Sequence, residues 1–109
     1  MRRLLKKYPD NIDITVSIAD VYVYNRPAVG ILIKTYDLAM KNGDYKNMSL
    51  IAESLVLRML SDRRIDYEQT LFWTNILANN LQNYSEPALK NTLTLSLEFF
   101  KEKRSQKGP

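Results

Sequence analysis

The chain has 109 residues, enough for one domain of ordinary size, and its 45% hydrophobic and 26% charged residues match a globular core with a solvated surface. It holds no cysteine and no histidine, which removes disulfides, thiol nucleophiles, zinc fingers, histidine-ligated haem and Ser-His-Asp triads. Its apolar runs are too short for a transmembrane helix, so no membrane partner is expected.

The formal net charge is +4, and it sits at the two ends. Residues 1–7 carry Arg2, Arg3, Lys6 and Lys7 with no acid, and 98–109 carry a further excess of bases, while 8–97 sum to −2. Basic ends of this kind keep chain termini solvated or act as arms that touch phosphate. The opening tract reads as a short helical lead-in that stops at Tyr8-Pro9-Asp10-Asn11. It has no secretory apolar core, so a cytoplasmic or organelle-interior setting is expected, not secretion.

Residues 12–24 fit two patterns. Ile12, Ile14, Val16 and Ile18 alternate with polar residues as a strand does, and Ile14, Ile18, Val21 and Tyr22 also fall at helical spacing, with Asp10 as cap. A lone strand has no pairing partner elsewhere in the chain, so a helix is preferred; strand pairing between two chains is the exception. Asn25 and Pro27 then open a helix to Lys41, with Val29, Leu32, Ile33, Tyr36 and Met40 as its stripe and Gly43 as its stop. A helix over 45–60 follows, with Met48, Ile51, Ala52, Leu55 and Met59 on one face. After the turn Asp62-Arg63-Arg64, Asp66 caps a helix from Tyr67 to Asn83, with Gln69 placed for a capping box. Ser85 and Pro87 open the last helix, whose stripe is Leu89, Leu93, Leu97 and Phe100 and which frays into KEKRSQKGP. The expected fold is all-α: one domain over 1–109, with four or five antiparallel helices as a compact bundle or a short stack of helical hairpins, and flexible basic ends at about 1–8 and 103–109.

Leu32, Tyr36 and Ala39, the turn Gly43-Asp44-Tyr45, and then Met48, Ala52 and Leu55 form a pattern over about residues 28–60. It resembles one tetratricopeptide-type helical hairpin. Two departures stand: Met48 occupies a position where that repeat has alanine, and the next helix starts about 39 residues after the first, where the repeat has 34. The resemblance implies peptide recognition on a helical face, without catalysis.

The stretch QTLFWTNILANNLQNYS, residues 69–85, carries no charge. Trp73, Ile76, Leu77, Leu81 and Tyr84 share one helical stripe, and Asn75, Asn79, Gln82 and Asn83 lie off it. A solvated helix face ordinarily carries Lys and Glu. An amide face instead offers paired donors and acceptors to a partner, although an Asn-rich composition alone produces the same pattern. In the next helix Thr92, Thr94 and Ser96 stand where charges are usual, and charge depletion with aromatic enrichment is typical of interfaces.

The expected function is therefore a non-catalytic interaction module, an adaptor or assembly subunit that binds another protein or itself. Its surface would be Trp73, Asn75, Asn79, Asn83, Tyr84 and Thr94. The alternative is a small basic nucleic-acid-binding protein, gripping phosphates with Arg2, Arg3, Lys6, Lys7, Arg63 and Arg64 while tyrosines such as Tyr67 stack on bases. No carboxylate pair, phosphate loop or metal-ligand spacing points to catalysis, a cofactor or a metal.

Overall fold

A computed structural model describes residues 11–107. Among them are five α-helices and no strand: α1 Ile12–Val21, α2 Arg26–Lys41, α3 Tyr45–Leu60, α4 Tyr67–Asn80 and α5 Pro87–Lys107. The all-α fold is as the sequence predicts. The candidate phosphate-binding residues Arg2, Arg3, Lys6 and Lys7 lie outside the described residues, as does Tyr8.

Residues 12–21 form a helix as expected, but rotated from the expected stripe: Val21 is 75% exposed, and Ile14 and Ile18 are half-buried. Val16, Ala19 and Val23, at i, i+3 and i+7, are buried. The cap is Asn11, one residue later than the Asp10 expected from sequence, and its side chain accepts the Ile14 N–H at 3.0 Å. Asp66 caps α4 as expected, accepting the Gln69 N–H at 3.0 Å.

Between α2 and α3 the chain reverses in three residues. Gly43 takes φ +64°. Its N–H reaches Met40 O at 3.1 Å and the Asp44 N–H reaches Ala39 O at 2.9 Å, the paired bonds of a Schellman stop. Asp44 then caps α3 by accepting the Asn47 N–H at 3.2 Å.

α3 is the centre of the molecule, with all four other helices packed on it. Asn47, Met48, Ser49, Ile51, Ala52, Ser54, Leu55 and Val56 are all buried, so α3 is apolar or small on every side, as a surrounded helix must be. α1 runs parallel to it. Asn47 Nδ2 donates to Asp13 Oδ1 at 2.7 Å, the Ser54 hydroxyl bonds Asp20, and Arg58 donates to Val23 O at 2.9 Å. α1 also packs on α2, and α5 on α4, so α1 and α2 flank one side of α3, and α4 and α5 the other.

The α4–α5 contact differs from the predicted stripes. Thr70, Thr74, Thr92 and Ser96 are buried: the Thr74 and Ser96 hydroxyls meet at 2.7 Å between α4 and α5, and Thr92 turns toward Glu53 of α3. Each threonine hydroxyl also bonds a backbone carbonyl one turn back: Asp66 O, Thr70 O and Ala88 O. Thr92 and Ser96 therefore do not face solvent. Leu97, expected in the core stripe, is 51% exposed, and Phe100 is half-buried. The reason is rotational: the seam follows Leu89, Thr92, Leu93 and Ser96, which leaves Leu97 on the far side. α4 ends at Asn80 instead of Asn83, and α5 continues as helix to Lys107. No helix among the described residues is long and apolar enough to cross a membrane.

Candidate functional site

α2 carries two apolar stripes. Ala28, Leu32, Thr35 and Ala39 are buried and face α3. Ile33, Tyr36 and Met40, rotated to the side, line an open groove against Phe72, Trp73 and Ile76 of α4. The stripe expected from sequence mixes the two sets: Ile33 is 42% and Met40 49% exposed. An arc of apolar residues too wide for one helix contact is the sequence signal that marks a second surface.

The groove has a volume of about 550 Å³, within the roughly 300–1,000 Å³ of ligand clefts. An aromatic cluster fixes its floor. Tyr36 meets Trp73 edge-on at 5.2 Å between ring centroids, and Phe72 meets Trp73 edge-on at 5.3 Å. Asn80, buried at the end of α4, donates to Ile76 O at 2.9 Å and approaches the Tyr36 hydroxyl at 3.5 Å, tying the two helices together. Phe72 stands on the rim, 53% exposed. Lys34 and Asp37 complete the lining. Asp37 also lies 3.8 Å from Lys41, an exposed pair worth about 0–1 kcal/mol.

The structure redistributes the predicted surface. Trp73 is 4% exposed and belongs to the core as well as to the groove floor, with its indole N–H buried and without an acceptor. Tyr84 is half-buried and donates its hydroxyl to Glu86, a bond that pushes the phenol above its usual range. Both side chains are already engaged within the fold. Asn75, Asn79 and Asn83 are exposed, and Asn75 and Asn79 follow Phe72 at i+3 and i+7, so the amide face adjoins the groove rim. Thr94 is exposed on α5, which packs on α3 and α4 and does not touch α2. It stands apart from the groove. Ile33, Tyr36, Met40, Phe72 and Ile76 line the groove, and sequence spacing alone does not single them out as a binding surface.

Comparisons with protein-family models, curated proteins and solved structures found no match.

Beyond the groove, carboxylates gather where α1, α3 and the start of α5 meet. Glu53 accepts the Thr92 hydroxyl at 3.1 Å. Burial pushes its carboxyl above the usual range; the Thr92 bond opposes this, and nearby Asp20 and Glu86 add to the rise. Among the described residues no three Asp, Glu, His or Cys are placed to hold a metal. A carboxyl whose folded pKa is raised favours folding while protonated, below the unfolded value near 4.3, and that advantage is lost as pH rises through the folded pKa. Glu53→Gln keeps an oxygen for Thr92 and removes the charge. It is expected to be more stable than the parent at pH 7 and to converge with it below about pH 4, as read by urea midpoints across pH. Parallel curves would show that Glu53 does not titrate with folding.

Proposed function

We propose that this protein is a non-catalytic interaction module whose groove between α2 and α4 receives an amphipathic helix of a protein partner. One observation carries the reading: Ile33, Met40 and Phe72, three large apolar side chains, stand half-exposed around a groove floored by Tyr36, Trp73 and Ile76. Apolar residues exposed together around a concavity mark docking surfaces, where scattered single ones do not. Two helix walls, with apolar side chains at i, i+3 and i+7 on α2 and at i, i+1 and i+4 on α4, suit a third helix laid along them. Asn75 and Asn79 on the adjoining rim supply polar contacts without a desolvated charge. The likeness of residues 28–60 to a tetratricopeptide-type hairpin points to the same use.

Trp73 is the only tryptophan, so its emission reports occupancy directly. Titration with a synthetic amphipathic helical peptide, leucine at i, i+4 and i+7, is expected to give a saturable shift in that emission. Phe72→Glu and Ile33→Glu abolish the shift, Asn79→Glu weakens it, and Thr94→Glu leaves it unchanged. No shift with the parent, or an equal one with Phe72→Glu, overturns the reading. Light scattering identifies the remaining occupant: a dimer that Phe72→Glu dissociates places a second copy of this chain in the groove.

A further inference from the structure

We infer that the end of the molecule formed by the α1–α2 loop, the α3–α4 loop and the C-terminal turns of α5 binds a single-stranded polynucleotide. The surface shares no residue with the groove and does not depend on it.

Three segments far apart in sequence meet here. Arg63 and Arg64 are exposed in the α3–α4 loop. Three residues on, Tyr67 opens α4 with its ring stacked on Phe99 of α5 at 5.9 Å and 12°. Lys103, one turn further along α5, holds its ammonium 5.5 Å from the centre of the same ring, and Lys101 is exposed nearby. From the other side Tyr24 of the α1–α2 loop, 64% exposed, brings its hydroxyl to Ser61 Oγ at 3.5 Å. Arg58 fastens the two loops, donating to Val23 O at 2.9 Å and lying 3.7 Å from Asp62.

Arg63 and Arg64, unpaired among the described residues, point to an anionic occupant. Of the acids in the α3–α4 loop, Asp62 faces Arg58 and Asp66 is the α4 cap. Arg63 and Arg64 have no carboxylate within salt-bridge distance among the described residues. Phosphates fit that pair. With Asp62 and Asp66, the exposed Glu68, Glu98 and Glu102 equal in number the bases Arg58, Arg63, Arg64, Lys101 and Lys103 at this end, so only the local arginine pair attracts a polyanion, weakly and with release by salt. The exposed ring of Tyr24 supplies the second contribution. It stacks on an unpaired base, which a single strand offers and a duplex keeps inside, while Tyr67 is held between α4 and α5 by Phe99 and Lys103.

The test is fluorescence anisotropy of a labelled oligothymidylate of about 12 nucleotides, matching common single-strand site sizes, with the full chain at rising salt. Binding is expected at about 50 mM salt, weakening linearly on logarithmic axes. Arg63→Ser with Arg64→Ser is expected to lower affinity at least tenfold and to flatten the salt slope by about 0.7 for each phosphate left unneutralised. Tyr24→Ala is expected to lower affinity about tenfold with the slope unchanged. Circular dichroism and Trp73 emission confirm that the variants are folded, and Phe72→Glu binds as the parent does. No binding by the parent, unchanged affinity in the arginine double variant, or a duplex bound as tightly as the single strand overturns the proposal.

Discussion

Trp73→Ala is expected to lower the unfolding free energy by about 3–5 kcal/mol. That is a large share of the roughly 5–15 kcal/mol a domain has in total. The residue is buried in the main apolar cluster with Leu32, Leu55 and Leu77, and it holds edge-on contacts to Tyr36 and Phe72. Alanine removes the floor of the groove and leaves a cavity that α2 and α4 cannot close, because α3 fixes both from below. Trp73→Phe keeps a ring in place and removes the indole N–H that lacks an acceptor, so its loss is expected to be much smaller. Urea unfolding followed by circular dichroism reads both. A Trp73→Ala protein with the parent's midpoint would mean that the groove floor is not part of the core.

Asn47→Leu is expected to cost about 3 kcal/mol or more, since hydrogen bonds to charged groups are worth about 1.5–3 kcal/mol each. Asn47 is 2% exposed. Its amide nitrogen donates to Asp13 Oδ1 and to Asp44 Oδ2, both at 2.7 Å, and so joins α1, the α2–α3 turn and α3. Leucine is close in volume and keeps the packing. It deprives Asp13 of this donor and leaves Asp44 only the backbone N–H of residue 47, with two like charges facing across a small gap. The urea midpoint measures the loss. An unchanged midpoint would show that apolar contacts alone hold α1 in place.

Much of the fold is legible in the sequence because local rules and tertiary contacts agree. Asp66 before a periodic run, Pro27 in a first turn and Gly43 after Lys41 each mark a boundary through the chemistry of an unpaired backbone group, and no packing overrides them. The rotation of each helix is less legible. On α2, Leu32 and Ile33 are equally apolar, and only the position of α3 decides that one is core and the other groove. On α5, Thr92 and Ser96 lie in the core because the Thr92 hydroxyl bonds Ala88 O and Glu53 of α3 and the Ser96 hydroxyl bonds Thr74 of α4, which no hydropathy pattern separates from a polar surface. The surface expected from sequence changes meaning for the same reason: Trp73 and Tyr84 turn inward, and Asn75, Asn79 and Asn83 stay outside. The pairing of Tyr67 with Phe99 and Lys103 spans more than thirty residues, and no local spacing announces it.

The hydroxyl-lined seam between α4 and α5 also sets the order in which the molecule opens. α3 is held on four sides, and its amides lose protection only when the whole structure does. α5 is held on two sides, its α4 side by buried hydroxyls and the Tyr67–Phe99 stack, so it is expected to open before α3 does, as hydrogen exchange would read. Such an opening removes Phe99 and Lys103 from Tyr67, while Arg63, Arg64 and Tyr24 stay on the loops beside α3, and α2, α3 and α4 keep the groove. Neither surface therefore needs α5 closed.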